Sequence, residues 1–126
     1  MRPDVPVALV LALGSTGSIA CELPGGSAES LSTEGHTIVY RAAPIRVGEH
    51  FALELAVCPP PDAVRVDASM PAHRHGMNYR PSIVPLGGGR YRAEGLMFHM
   101  PGEWQFLFEV RASGKTERAT HNLRVE

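Results

Sequence analysis

The sequence has few of the residues that mark several common classes of protein. Its 126 residues include two cysteines and one tryptophan, aromatic residues make up 6%, and the formal net charge is −1. The near balance of 12 basic and 13 acidic residues excludes the strongly basic surface of a nucleic-acid-binding protein. No Gly-x-Ser-x-Gly segment is present and no cysteine–histidine pair is evident, so nothing supports nucleophilic catalysis. A hydrophobic content of 44% excludes a disordered chain and fits one domain.

The first 21 residues have the layout of a secretory signal. Arg2 supplies a positive charge, residues 5–13 form an apolar run too short to span a bilayer, and small residues lead to Cys21. A cysteine directly after a small residue resembles a bacterial lipobox. We therefore expect Cys21 to be lipidated and the protein to lie in the periplasm or at the cell surface. The alternative is a cleaved signal followed by an ordinary cysteine.

The remainder of the chain divides into a predicted tether and a predicted domain. Residues 22–35 are rich in Ser, Gly, Glu and Pro, which is typical of a flexible linker, and the domain follows over residues 36–126. If Cys21 carries lipid, Cys58 is the only thiol left and no intramolecular disulfide can form. We interpret Cys58 as a small buried residue at a strand end, with a metal-ligand role as the alternative.

Alternation of apolar and polar residues predicts strands and almost no helix. The clearest case is the row Trp104, Phe106, Phe108 and Val110, whose members are separated by single, mostly polar, residues. Similar rows recur between residues 37 and 125, and proline- or glycine-rich turns separate them. Six or seven short strands predict an all-β antiparallel β-sandwich of immunoglobulin-like or cupredoxin-like type.

Methionine and histidine are concentrated in one part of the chain. Apart from Met1, every methionine lies between positions 70 and 100, and so do three of the six histidines. All of them except Met97 fall in two segments, residues 67–79 and 98–102, which a sandwich can bring together. If the first segment is extended, His73, His75 and Met77 point to the same side. We interpret the other three histidines (His36, His50 and His121) as surface residues.

Imidazole nitrogen and thioether sulfur together suit copper. Thioether favours Cu(I) and imidazole serves either oxidation state, whereas zinc prefers thiolate, imidazole and carboxylate. The candidate ligands, of which three or four would bind at once, are Met70, His73, His75, Met77, His99 and Met100. For each there is a structural alternative, a core methionine or a loop histidine. The same holds for Met97, which we expect to be core filler beside Leu96 and Phe98.

Two neighbouring residues are candidates for supporting the site. Asp67 can accept a hydrogen bond from a ligand imidazole, and its alternative is an ordinary outward strand residue. Trp104 is expected in the core, where its ring can shield one side of a metal. Cys58 lacks the following His and Met of a blue-copper loop, so an electron-transfer site of that kind is disfavoured.

The two segments resemble the YtkA-like or FixH-like domains of exported bacterial proteins. The resemblance covers roughly residues 36–126, and the matching motifs are Met-Pro-Ala-His-Arg-His-Gly-Met (residues 70–77) and Phe-His-Met-Pro-Gly (residues 98–102). It implies a compact β-sandwich, often encoded near copper-handling or cytochrome oxidase assembly genes. The positions that match are Met70, His73, His75, Met77, His99 and Met100.

These observations predict an exported copper-binding protein that sequesters or passes copper, and not an enzyme. Its expected partners are the copper ion and a copper-donating or copper-accepting exported protein. We expect contact with the membrane through the lipid anchor alone. The alternative is a metal-free, membrane-tethered interaction module, in which the histidines and methionines form a surface patch for a protein partner.

Overall fold

The computed structural model describes residues 21–126 together with Pro3 and Gly14. Nine strands form in this part of the chain, with one 3-10 turn at Pro71–His73 and no α-helix, which confirms the predicted all-β class. The predicted signal lies outside the described residues except for Pro3, Gly14 and Cys21. The strands are β1 Glu29–Ser32, β2 Thr37–Ala42, β3 His50–Cys58, β4 Ala63–Met70, β5 His75–Gly76, β6 Ser82–Gly87, β7 Arg90–Met97, β8 Gly102–Ala112 and β9 Lys115–Val125.

The strands form two antiparallel sheets packed as a β-sandwich. One sheet has five strands in the order β1-β2-β3-β7-β6, and the other has four in the order β5-β4-β8-β9. No helix within the described residues is long and apolar enough to cross a membrane. Of the sequence-predicted strands, the period-two rows over β2, β3, β4, β7 and β8 are all present. The strands β1, β5 and β6 carry weak alternation, and the sequence pattern does not predict them.

The core lies between the sheets and is built by the alternating rows. On β8, Trp104, Phe106, Phe108 and Val110 are each at most 1% exposed, while the intervening residues face outward. They pack in one cluster with the buried row of β3, which includes Leu55. Burial of each such apolar side chain contributes about 1.5–3 kcal/mol. The predicted inward faces of these strands are therefore confirmed.

The predicted tether over residues 22–35 is wrong, because this segment folds onto the five-stranded sheet. Strand β1 pairs with β2, and Leu23 is buried against Val39 and Ala56 on the outer face. The Arg41 guanidinium donates hydrogen bonds to backbone carbonyls along the segment, including that of Gly26 at 2.8 Å. We call residues 21–28 the N-terminal strap. Burial of Leu23 and the hydrogen bonds from Arg41 hold it on the sheet, and no pattern in the sequence indicates either interaction.

The predicted lipid on Cys21 and the lone thiol at Cys58 are both corrected by a disulfide. The structure joins Cys21 to Cys58, with Cα atoms 5.8 Å apart and a sequence separation of 37, and leaves no free cysteine in residues 21–126. One sulfur cannot carry both a thioether-linked lipid and a disulfide. The bond also removes Cys58 from the possible metal ligands. The sequence pattern misses this pairing because it depends on the strap folding back beside the end of β3.

Candidate metal-binding site

The two histidine- and methionine-bearing segments meet at one end of the sandwich. Strand β4 ends at Met70, the 3-10 turn follows, and β5 folds back so that His75 pairs with Met70. Residues 98–101 turn the chain from β7 into β8, and β8 pairs with β4 and contacts the 3-10 turn. We call this end, formed by residues 70–77 and 98–101, the His/Met rim. The proximity expected of the two segments is found.

Three imidazoles form a row along the His/Met rim. The ring centroids of His73 and His75 lie 5.7 Å apart, and those of His75 and His99 lie 5.2 Å apart. His73 and His99 are exposed, and His75, in the middle of the row, is half-buried. The Nδ1 atom of His75 lies 3.2 Å from the carbonyl oxygen of Gly76. The row thus joins side chains that are 24 to 26 positions apart in sequence.

Trp104 forms the wall behind this row. Its ring meets His75 and His99 edge-on, with centroids 6.1 Å and 5.5 Å away. The indole is 1% exposed and stacks on Phe98, with a centroid distance of 4.3 Å and an interplanar angle of 15°. Its Nε1 donates a hydrogen bond to the carbonyl oxygen of Met100. The expected core position of Trp104 is found, and the ring edge is adjacent to two of the three imidazoles.

The backbone through the first segment is turned rather than extended, so that expectation is wrong. Pro71 suits the first position of the 3-10 turn because it has no N–H to satisfy and a fixed φ. Arg74 takes a left-handed conformation with φ 53°, and its N–H donates to the carbonyl oxygen of Pro71. Arg74, and not Gly76, is therefore the residue of this segment with a positive φ. His73 and His75 still lie side by side, because the turn ends between them.

The methionines of the rim differ in how deeply they are buried. Met70 is 1% exposed in the core, and its Cε lies only 2.9 Å from where a Cβ on Gly102 would stand. Met77 and Met100 are half-buried and pack against the edge of the core. Met70 therefore packs as a strand-end core residue, the structural alternative to its role as a ligand. Met77 and Met100 are the thioethers at the border between core and solvent.

Asp67 does not support the site in the way proposed for it. Its carboxylate accepts hydrogen bonds from the backbone N–H of Ala68 at 2.8 Å and from Arg65 at 3.2 Å. Both Arg65 and Asp67 lie on the outer face of β4, whose inner face carries the buried row. Asp67 is therefore the outward strand residue of the alternative interpretation.

Two histidines expected at the surface instead have specific partners. His36 lies 3.2 Å from the Glu117 carboxylate, with only 7% of its side chain exposed, and His121 Nδ1 hydrogen-bonds the hydroxyl of Tyr40. Burial, and then the charge of Glu29, raise the pKa of Tyr40 to about 12. These pairs join residues 81 positions apart, and no local signal in the sequence indicates them.

A second carboxylate is held by the turn between β1 and β2. Glu117 accepts hydrogen bonds from the Thr33 hydroxyl, from the backbone N–H of Gly35 at 2.7 Å and from His36. These hydrogen bonds, that of Thr33 foremost, hold the pKa of Glu117 below its ordinary value. The contact ties β9 to the segment that the sequence pattern assigns to a tether.

The imidazole row is not a closed metal site. Across residues 21–126, no group of three or more His, Cys, Asp or Glu side chains is arranged to hold a metal ion. The rim therefore brings imidazoles together without converging their nitrogens on one point. The thioether sulfurs of Met77 and Met100 are not among those four side-chain types. They are additional potential donors at the rim.

Comparisons with known proteins establish the fold alone. No protein-family model matches the sequence, and no curated protein matches it. Among solved structures, the chain is similar to a DUF4426 family protein from Pseudomonas aeruginosa PAO1, with 13% identity, 78% of this chain and 94% of that chain covered, and a TM-score of 0.56. The similarity supports the β-sandwich fold. It carries nothing specific to YtkA-like or FixH-like domains, so that assignment stays a resemblance.

Proposed function

We propose that this chain is an exported bacterial protein that binds copper at the His/Met rim and holds it or passes it on. The observation that carries the proposal is the row of His73, His75 and His99, assembled from two distant segments against the edge of a buried tryptophan. Copper is the cargo of such a protein, and no catalytic step is assigned to the chain. The N-terminal signal-like sequence supports export to the periplasm or cell surface.

The spacing of the rings supports a shared ion. Imidazole nitrogens bind first-row metals at about 2.0–2.1 Å, so two rings on one ion at a tetrahedral angle have centroids about 5 Å apart. The separations of 5.2 Å and 5.7 Å in the row are close to that value. His73 and His99 are exposed at its two ends, so solvent rather than packed core surrounds the side chains that would have to rotate toward an ion near His75.

The donor chemistry favours copper over other metals. The rim offers imidazoles and thioethers, and its row contains no carboxylate or thiolate, the ligands that complete most zinc sites. Met77 follows His75 by two residues and Met100 follows His99 directly in sequence, and both thioethers are half-buried at the edge of the core. A mixed set of this kind accommodates both Cu(I) and Cu(II), which suits transfer or storage.

An anaerobic Cu(I) titration against a chromophoric chelator tests the proposal. The full chain, purified from the bacterial periplasm, is compared with the variant His73→Gln/His75→Gln/His99→Gln. As Trp104 is the single tryptophan and touches two of the imidazoles, its fluorescence should be quenched as the ion binds. We expect the variant to lose this quenching and to bind the ion about 100-fold or more weakly, a difference of about 2.7 kcal/mol.

A matched control alters the neighbouring loop without removing a donor. Asn78→Ala/Arg80→Gln changes two exposed residues just beyond Met77 and should leave binding and quenching unchanged. The proposal is overturned if the triple histidine variant binds copper as tightly as the unchanged chain.

A second candidate is a metal-free interaction module that uses the same rim as a docking patch. The observation in its favour is that no group of three His, Cys, Asp or Glu side chains within residues 21–126 is already arranged around a metal position. Metal analysis of the protein freshly purified from copper-supplemented cells separates the two. Absence of copper there, together with a flat titration, favours the interaction module.

A further inference from the structure

His50 and Met97 lie side by side at the same end of the sandwich but on its outer face. Strands β3 and β7 are antiparallel, and His50 pairs directly with Met97, next to the pair formed by Phe51 and Leu96. Phe51 and Leu96 are buried, so their neighbours His50 and Met97 face outward from the five-stranded sheet. Directly opposed residues on one face have Cβ atoms about 4.5–5.5 Å apart. An imidazole and a thioether thus stand within reach of one ion.

A tyrosine from the connection between the two sheets packs against the imidazole of this pair. Tyr79 lies in the chain that crosses from β5 to β6, and its ring meets the His50 imidazole edge-on at 5.0 Å with an interplanar angle of 74°. Tyr79 is 45% exposed, one of three large hydrophobic residues within residues 21–126 that remain open to solvent. The contact restricts rotation of the imidazole while leaving the site open on one side.

Two of the carboxylates near this pair have arginine partners. Glu94 lines the same shallow groove as His50, and its carboxylate is paired with Arg92 at 2.9 Å. On the other side of β3, Glu54 is paired with Arg41 at 3.1 Å. The donors that the pair itself offers an ion are one imidazole, which serves either oxidation state of copper, and one soft thioether.

The pair is also connected to the His/Met rim by short stretches of chain. Met97 precedes His99 by two residues, with buried Phe98 between them, and Tyr79 follows Met77 by two. The donor types of the rim are thus repeated one strand further along, on the face of the sheet rather than at its end. Two sets of imidazole and thioether donors therefore lie at the same end of the sandwich.

We infer that His50 and Met97 form a second, weaker Cu(I) site that exchanges copper with the His/Met rim, an inference that rests on the proposed function. Cu(I) has a filled d shell and accepts two or three soft or neutral ligands, so one imidazole and one thioether can hold it. Zinc and Cu(II) need more donors than the pair provides. The ion stays Cu(I) throughout, and no electron or proton transfer is required.

The test is a Cu(I) titration of the full chain, carried past one equivalent under anaerobic conditions. The unchanged protein should bind one ion tightly, with quenching of Trp104, and a second ion more weakly without further quenching of Trp104. His50→Gln/Met97→Leu should weaken the second step about tenfold or more and leave the first unchanged. Met97→Leu alone keeps the apolar volume and should reduce the same step, which guards against loss of folding in the double variant.

Other variants separate failure of this inference from failure of the proposed function. Val84→Thr changes an exposed residue of β6, in the same five-stranded sheet, without removing a donor, and should keep both steps. If the unchanged chain binds only one ion, or if His50→Gln/Met97→Leu binds two as before, this second site is refuted and the rim stands. If His73→Gln/His75→Gln/His99→Gln retains the tight step, the proposed function itself fails and the inference fails with it.

Discussion

The indole nitrogen of Trp104 donates a hydrogen bond to the carbonyl oxygen of Met100 at 3.0 Å. The bond links the turn between β7 and β8 to the side chain of Trp104, which follows that turn in the sequence. The same indole stacks on Phe98, so the residues on both sides of His99 are held by one ring. The position of His99 beside His75 therefore depends on a buried side chain that binds no metal itself.

Trp104→Phe should weaken both the fold and the copper site. The change removes the hydrogen bond to Met100, worth about 0.5–1.5 kcal/mol, and leaves space in a packed core. We expect the free energy of unfolding, measured by chemical denaturation, to fall by about 2–3 kcal/mol. Copper affinity, measured by chelator competition, should fall with it. Phe108→Leu, a core change away from the rim, should lower stability while leaving copper affinity as it was.

Substitutions of Met70 should separate packing from metal binding. Met70→Ala creates a cavity at a residue that is 1% exposed and should cost about 2–5 kcal/mol in the free energy of unfolding. Met70→Leu nearly conserves volume and should cost less than about 1.5 kcal/mol. We expect Met70→Leu to bind copper like the unchanged chain, as judged by the same chelator competition. A large loss of affinity in this variant would make Met70 a ligand after all.

Breaking the disulfide should destabilise the domain without disturbing the rim. In the chain-entropy model, a crosslink of this span contributes about 4 kcal/mol. Strand β3 runs from His50, at the same end of the sandwich as the rim, to Cys58, about 26 Å away, so copper binding should be unchanged. Cys21→Ser and Cys58→Ser should lower the denaturation midpoint equally, because either one removes the same bond. An intact mass that includes a lipid on Cys21 would contradict the disulfide.

Stability should decline in alkali through Tyr40. Burial raises the pKa of its hydroxyl from 10.0 to about 12, so the folded state holds this proton more tightly than the unfolded state. The contribution is fully present below pH 10 and is lost as the pH rises toward 12. Thermal denaturation followed from about pH 8 to pH 12 should show this decline. Tyr40→Phe should show a smaller decline, with lower stability at neutral pH because His121 loses its partner.

Much of the fold could be predicted because each strand's alternation is a local property. A half-buried strand places every second residue in the core, so the row from Trp104 to Val110 identified both β8 and its inner face. Strands β1, β5 and β6 lack such rows. They are edge strands, and most of their residues face solvent, so their sequences have no apolar period to detect.

The sequence predicted which residues belong to the candidate site but not how deeply each one is buried. Local spacing alone indicated that His73, His75 and His99 belong to two short segments that a sandwich can bring together. That Met70 is buried while Met77 and Met100 lie at the border depends on how the two sheets close over the end of the core. No pattern in the sequence singled out His50, since its partners Met97 and Tyr79 come from another strand and from a connection.

The sequence by itself determined the all-β class, the inner faces of the main strands and the concentration of imidazole and thioether in two short segments. Only the tertiary structure decided that Cys21 bonds Cys58, that residues 21–28 lie on the sheet, and that His36 meets Glu117. The physical reason is the distance along the chain over which each interaction acts. Period and turn chemistry act between neighbours along the chain, whereas these contacts join residues tens of positions apart and depend on strand order and register.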